Sequence, residues 1–171
     1  MIAGRAPEGR QLRFMSKFTI GVISDTHGLL RPEALQALKG SDQIIHAGDV
    51  GDPQILIDLG KIAPLTAIRG NIDKDAWVNR LPETEVLEIA DKSFYILHDR
   101  NQLDLDPQAA GFAAVISGHS HKPQIETVKD VLYFNPGSAG PRRFRLPITV
   151  GRITINGDQL RPEIITLNIE G

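Results

Sequence analysis

The order of apolar runs predicts an α/β domain built from two mixed β-sheets packed face to face and flanked by helices. Two observations carry this. The first half alternates short, continuous apolar runs with helix-like segments, as parallel β-α-β units do. From Val86 onward, apolar runs face each other across short polar turns, as antiparallel hairpins do. The chain has 171 residues, a length that suits one domain with a substantial core.

Residues 1–17 show no apolar periodicity and read as an N-terminal extension outside the core, leaving residues 18–171 as the domain. Met15 directly before the first strand reads as a natural start. Phe18 to Ser24 is the first strand. Arg31 to Gly40 follows as a short helix, with Pro32 in the first turn and Gly40 at the C-terminal end. A second strand, Ile44 to Ala47, leads to a helix that Asp52 caps and Pro53 begins. Leu65 to Arg69 is a third strand, and Asp73 is expected to cap a further helical turn through Trp77 and Val78. Val86 to Ile89 and Phe94 to Leu97 form one hairpin, and Gln124 to Val128 with Val131 to Asn135 a second. Ile148 to Ile155 and Gln159 to Ile169 form a third, around Asn156-Gly157-Asp158, a tight-turn sequence.

Net charge is -2, which gives no global electrostatic attraction to nucleic acid or to an anionic membrane. No stretch is long and apolar enough for a membrane span. There is no cysteine, so disulfides and thiolate metal sites are excluded and a cytoplasmic location is expected.

Chemistry concentrates where apolar runs stop. The first strand runs into Asp25-Thr26-His27, the second into Gly48-Asp49 and the third into Gly70-Asn71. Phe94 to Leu97 runs into His98, and Ala113 to Ser117 into Gly118-His119-Ser120-His121. Ligands of open α/β sheets gather beyond the carboxyl ends of strands. If the backbone stays extended, the Asp-x-His and His-x-His spacings put both side chains on one face. Glycines beside these residues permit close backbone approach or unusual dihedrals. The donors are oxygen and nitrogen alone, which favours manganese, iron, zinc or magnesium. Seven candidate ligands exceed one tetrahedral site and fit two ions sharing a carboxylate.

In this order, Asp25-x-His27, Gly48-Asp49, Gly70-Asn71, His98 and Gly118-His119-x-His121 resemble the motifs of the calcineurin-like metallophosphoesterases. The likeness is greatest to the small bacterial and archaeal phosphodiesterase branch that also contains the retromer subunit Vps29, and Asn135-Pro136-Gly137-Ser138 matches that branch too. It covers residues 18 to about 165. The resemblance implies an αββα sandwich and two divalent ions, manganese first, with iron, zinc, nickel or magnesium as alternatives. It assigns Asp25, His27 and His121 to one ion, Asn71, His98 and His119 to the other, and Asp49 to both. It also implies hydrolysis of a phosphate ester, expected to be a diester, by a hydroxide held between the ions, with Asp49 and Asn71 as catalytic residues. Asn71 has a second task, donating a hydrogen bond to the phosphate through its amide.

Two positions depart from the family pattern. Ile72 stands where larger members carry a histidine that helps the leaving group, and Ile72 cannot transfer a proton. At the fourth motif relatives read His-Gly-His, whereas this chain has His98-Asp99-Arg100.

Other residues have plainer readings. His46, inside a strand, reads as a buried histidine bonded to backbone, or else as a partner orienting Asp25 or Asp49. Arg69 is expected to pair with Asp73. Arg142, in Arg142-Arg143-x-Arg145, is the candidate phosphate contact, with plain surface charge as an equal alternative. Trp77 and Phe144 are candidates for pocket lining or for packing. The expected partner is a small phosphate-ester substrate, with no membrane or specific nucleic-acid partner and with homo-oligomerisation left open. The alternatives to a phosphodiesterase are a phosphomonoesterase and a non-catalytic interaction module like Vps29.

Overall fold

The computed structural model describes residues 17–170. The reading of residues 1–17 as an extension, and of Met15 as a start, lies outside the described residues except for Lys17, which is exposed. The first sheet holds β1 (Phe18–Ile23), β2 (Gln43–His46), β3 (Leu65–Ala67), β9 (Thr149–Asn156) and β10 (Gln159–Thr166), ordered β10-β9-β1-β2-β3. β1, β2 and β3 run parallel, and β9 closes antiparallel on the other side of β1. The second sheet holds β4 (Thr84–Ile89), β5 (Lys92–Leu97), β6 (Phe112–Ile116), β7 (Gln124–Val128) and β8 (Val131–Asn135), ordered β4-β5-β6-β8-β7. Here β5, β6 and β8 are parallel, and β4 and β7 fold back as hairpin edges. Both sheets are therefore mixed, as the sequence predicts.

The two sheets meet through Ile20, Val22 and Ile45 on one side and Phe94, Ile96 and Phe134 on the other, all at most 1% exposed. Each such side chain contributes roughly 1.5–3 kcal/mol by leaving water. The far face of the first sheet is covered by α1 (Pro32–Leu38) and α2 (Pro53–Gly60). α2 places Ile55 and Leu59 one turn apart against Ile44 and Val150, and the Asp52 carboxylate accepts the Gln54 N–H at 2.8 Å to cap it. Helices are fewer than a fully flanked sandwich implies. The far face of the second sheet is covered instead by Leu103, beyond the 3-10 turn Arg100–Gln102, on Leu97, Val115 and Val131.

One local expectation fails. Asp73 caps no helix; the turn Ala76–Arg80 is 3-10 and begins after Asp75. The Asp73 carboxylate instead accepts the N–H groups of Val50 (3.1 Å), Gly51 (2.9 Å) and Gly70 (2.9 Å). It thereby ties the loop after β3 to the loop after β2.

Candidate metal centre

β1, β2, β3, β5 and β6 all end at one end of the sandwich, and each hands its chain to one of the histidine, aspartate or asparagine clusters. Backbone bonds then lock these loops together. Asp25 N–H donates to Gly48 O (3.0 Å), His27 N–H to Asp49 O (3.0 Å) and Gly118 N–H to His98 O (2.9 Å). Two glycines make this closeness possible. A Cβ on Gly70 would collide with Asp49 Oδ1, and one on Gly118 with Ser24 Oγ.

Asp-x-His and His-x-His do not converge through extended backbone, as the spacing suggests. β1 and β6 end at Ile23 and Ile116, and Asp25, His27, Asp49, His119 and His121 all take left-handed φ, between 46° and 67°. Non-glycine residues rarely adopt this conformation, and each instance costs on the order of 1–3 kcal/mol. The turn, not the pleat, aims these side chains inward.

Asp25 Oδ1 lies 3.3 Å from His121 Nε2, 3.8 Å from His27 Nε2 and 3.9 Å from His98 Nε2. Its other oxygen is engaged, accepting Ser24 Oγ–H (2.7 Å) and the His119 N–H (3.1 Å). Asp49 divides its oxygens in the same way. Oδ1 accepts the Ile72 N–H at 3.0 Å, while Oδ2 lies 3.4 Å from His27 Nε2 and 3.2 Å from His98 Nε2. His98 donates Nδ1–H to Ala47 O (2.7 Å), which turns Nε2 towards the two carboxylates. Asn71 Oδ1 lies 3.1 Å from His119 Nδ1, and the His119 ring meets His98 edge-on at 5.2 Å. All seven predicted ligands thus sit in one cluster, Asn71 and His119 on its exposed side.

The cluster fits divalent ions. Asp25 Oδ1, His27 Nε2 and His98 Nε2 are buried atoms with no hydrogen-bond partner among the described residues, an arrangement that costs free energy unless an ion supplies the missing contacts. Two triads, Asp25-His27-His121 and Asp25-Asp49-His98, each bring their donor atoms within 4.8 Å of one another. Oxygen and imidazole donors suit borderline divalent metals.

The charges respond to this crowding. Burial pushes the Asp25 carboxyl up, but contacts with His121 and His27, the His98 charge and the Ser24 hydroxyl outweigh it and hold the group well below the usual carboxylate range. Asp49 is also lowered, with burial outweighed by His98 and the Ile72 N–H. His98 is raised, because its contacts with Asp49 and Ala47 O exceed the effect of burial.

His46 is buried and bonded to backbone, the first of its two sequence readings. Gly48 N–H donates to His46 Nδ1 (3.2 Å), so the ring proton sits on Nε2 and donates to Thr26 Oγ1 (3.0 Å). The Thr26 hydroxyl then donates to Val50 O at 2.8 Å. Burial pushes the His46 pKa down to about 4, against opposing fields from Asp25 and Asp73. The neutral ring joins the Asp25–His27 turn to the Asp49 loop without touching either carboxylate.

Arg69 pairs with Glu83 (2.7 Å), not with Asp73, whose carboxylate is already occupied. Arg100 turns to Glu126 (2.7 Å) and lies over the Tyr133 ring at 4.1 Å, while Asp99 Oδ2 stands 3.7 Å from His119 Nε2. Arg142 is exposed. Trp77 packs in the helix-side core, whereas Phe144 is 94% exposed. A cavity of about 610 Å³ opens beside Asn71, His98 and His119, with Lys74 and Tyr95 also in its wall. Sequence reasoning missed Asp73 and Ser24 as organisers of the ligand loops. Their polarity beside glycines and ligands is the only local sign.

Residues 18–158 match the calcineurin-like phosphoesterase superfamily domain. A probable metallophosphoesterase of Methanocaldococcus jannaschii is 37% identical, over 86% of this chain and 81% of its own. A phosphodiesterase of the same organism is 30% identical over 69% and 82%. The solved structure of vacuolar protein sorting 29 from Cryptosporidium parvum superposes with a TM-score of 0.77, covering 89% of this chain and 92% of its own; its 17% identity speaks for the fold alone.

Proposed function

The chain belongs to the calcineurin-like phosphoesterase superfamily, and on that premise we propose that it is a two-metal phosphodiesterase. Asp25, His27 and His121 would hold one ion and Asn71, His98 and His119 the other, with Asp49 shared. Asp49 carries this reading, because its single free oxygen stands between His27 and His98, one histidine from each set. Two divalent ions, manganese first, supply Lewis acidity and lower the pKa of water when bound.

The protein's own groups do the rest. Ile72 N–H and Ser24 Oγ–H fix the carboxylates so that one oxygen of each faces inward. Asn71 holds His119 through Oδ1 and keeps its Nδ2–H bonds for a phosphoryl oxygen. The cavity beside Asn71 gives one ester arm a place. Arg142 is proposed as a further phosphate contact. Ile72 offers no proton, and Arg100 is held by Glu126, so neither protonates the leaving oxygen.

The test is hydrolysis of bis(p-nitrophenyl) phosphate by protein stripped with chelator and reloaded with Mn2+, alongside metal analysis. Hydrolysis with about two ions per chain is expected. Protein that binds metal but hydrolyses neither diesters nor monoesters would point to the interaction-module alternative.

A further inference from the structure

Ten non-glycine residues among those described have left-handed φ. Five are metal-ligand candidates, and four are the paired turn residues Ala90-Asp91 and Lys129-Asp130 of two hairpins. The tenth is Phe144, at φ 52° and 94% exposed. An aromatic residue gains nothing for folding there. The backbone is unfavourable for it, and its ring stays in water.

Its loop is anchored at the centre. Ser138 bridges to Ile148, and Thr149 N–H donates to Ser138 O at 2.9 Å, pinching the loop at its base. That base lies against the first ligand turn. Ser138 Oγ–H donates to Asp25 O (3.0 Å), Ala139 N–H to Ser24 O (3.1 Å) and Arg31 Nη2–H to Gly140 O (3.4 Å). Gly140 packs so closely on the Asp25 and Thr26 carbonyls that no Cβ would fit. Phe144 is four residues further on, within about 14 Å of Gly140 even for an extended chain. Leu146 N–H donates to Arg143 O at 3.1 Å, so Phe144 and Arg145 form the tip of a tight turn. Arg142, Arg143 and Arg145 are all exposed, and none forms an ion pair among the described residues.

A flat ring between unpaired guanidinium groups has the chemistry of a stacking platform for a base attached to an anionic phosphate. An alkyl chain would need a groove, whereas this tip stands free. We propose that the Arg142–Arg145 tip is a specificity element for nucleotide-type phosphodiesters: Phe144 stacks on the nucleobase, and the arginines attract the anion whose phosphate lies at the metal centre. The inference rests on the phosphodiesterase reading and names its substrate class.

The test is calorimetric titration of the full chain, loaded with Mn2+, with AMP and with ribose 5-phosphate, which differ by the base. Native protein should bind AMP roughly tenfold or more tightly. Phe144→Ala should remove that preference and Phe144→Trp keep it. Phe144→Asn, which suits left-handed backbone, should melt no lower than native protein and still lose the preference. Equal binding of the two ligands by native protein, or a preference that survives in Phe144→Ala, overturns the proposal. A chain that hydrolyses bis(p-nitrophenyl) phosphate yet ignores the base refutes this inference alone. A chain that neither hydrolyses the diester nor binds either phosphate refutes the parent reading, and this one with it.

Discussion

His46 carries no charge in the folded protein, and this has a measurable sign. Its pKa falls from 6.5 to about 4 on folding, so the unfolded chain takes up the proton first. Its contribution to stability is therefore complete above pH 6.5 and is lost as pH falls towards 4, by roughly 3 kcal/mol in the metal-free protein. In nuclear magnetic resonance titrations the ring should remain the neutral Nε2–H tautomer at pH 5.5. A protonated ring there would refute the chain from Gly48 N–H to Thr26. Asp49 is the second residue with a sharp outcome. Asp49→Ala should lower metal affinity at least about 100-fold, the upper end of what loss of an outer hydrogen-bond partner costs, and should abolish hydrolysis. Metal content and turnover measured together check this, and a fully active variant would end the shared-carboxylate mechanism.

At the scale of elements, the loop after β3 is held by one carboxylate. Asp73→Ala leaves three N–H groups without their charged acceptor and should destabilise the fold by about 2–4 kcal/mol in urea unfolding. A helix cap alone would cost only about 1 kcal/mol, so the size of the loss separates the two roles. The contrast also marks what is legible in the sequence. Strands and hairpins are, because apolar runs and turns such as Asn156-Gly157 are local signals. The positions of the candidate ligands are as well, because each follows a strand end. The left-handed backbone that aims them is not, since contacts between loops impose it, such as Asp25 N–H on Gly48 O. Arg69 shows the same limit: Asp73 lies nearer in sequence, but the carboxylate left free in space is Glu83.

At the scale of the whole molecule, several loops share a cluster of buried carboxylate and histidine atoms that lack hydrogen-bond partners among the described residues. Ions that bind only the folded chain stabilise it by about 2.7 kcal/mol at a hundred times their dissociation constant. For a chain of this size that raises the melting temperature by roughly 5–10 °C. Calorimetry with and without Mn2+ measures the shift, and its absence would argue against the site. A chain beginning at Met15 should melt within about 2 °C of the full chain and keep its activity if residues 18–171 are a complete domain. A larger loss would show that the preceding residues pack on it.

The left-handed turns also restrict what inheritance can try at this centre. At Asp25, His27, Asp49, His119 and His121 the backbone admits asparagine or glycine readily and resists β-branched residues. An Asp codon reaches Asn, Gly or Val by one base change. Drift at Asp25 or Asp49 should then fix Asn, which weakens the ligand by removing its charge, or Gly, which removes it, both sparing the backbone, and purge Val, which breaks both. A lineage descending from this sequence could abandon its chemistry and keep its shape by single steps, already positioned for another use.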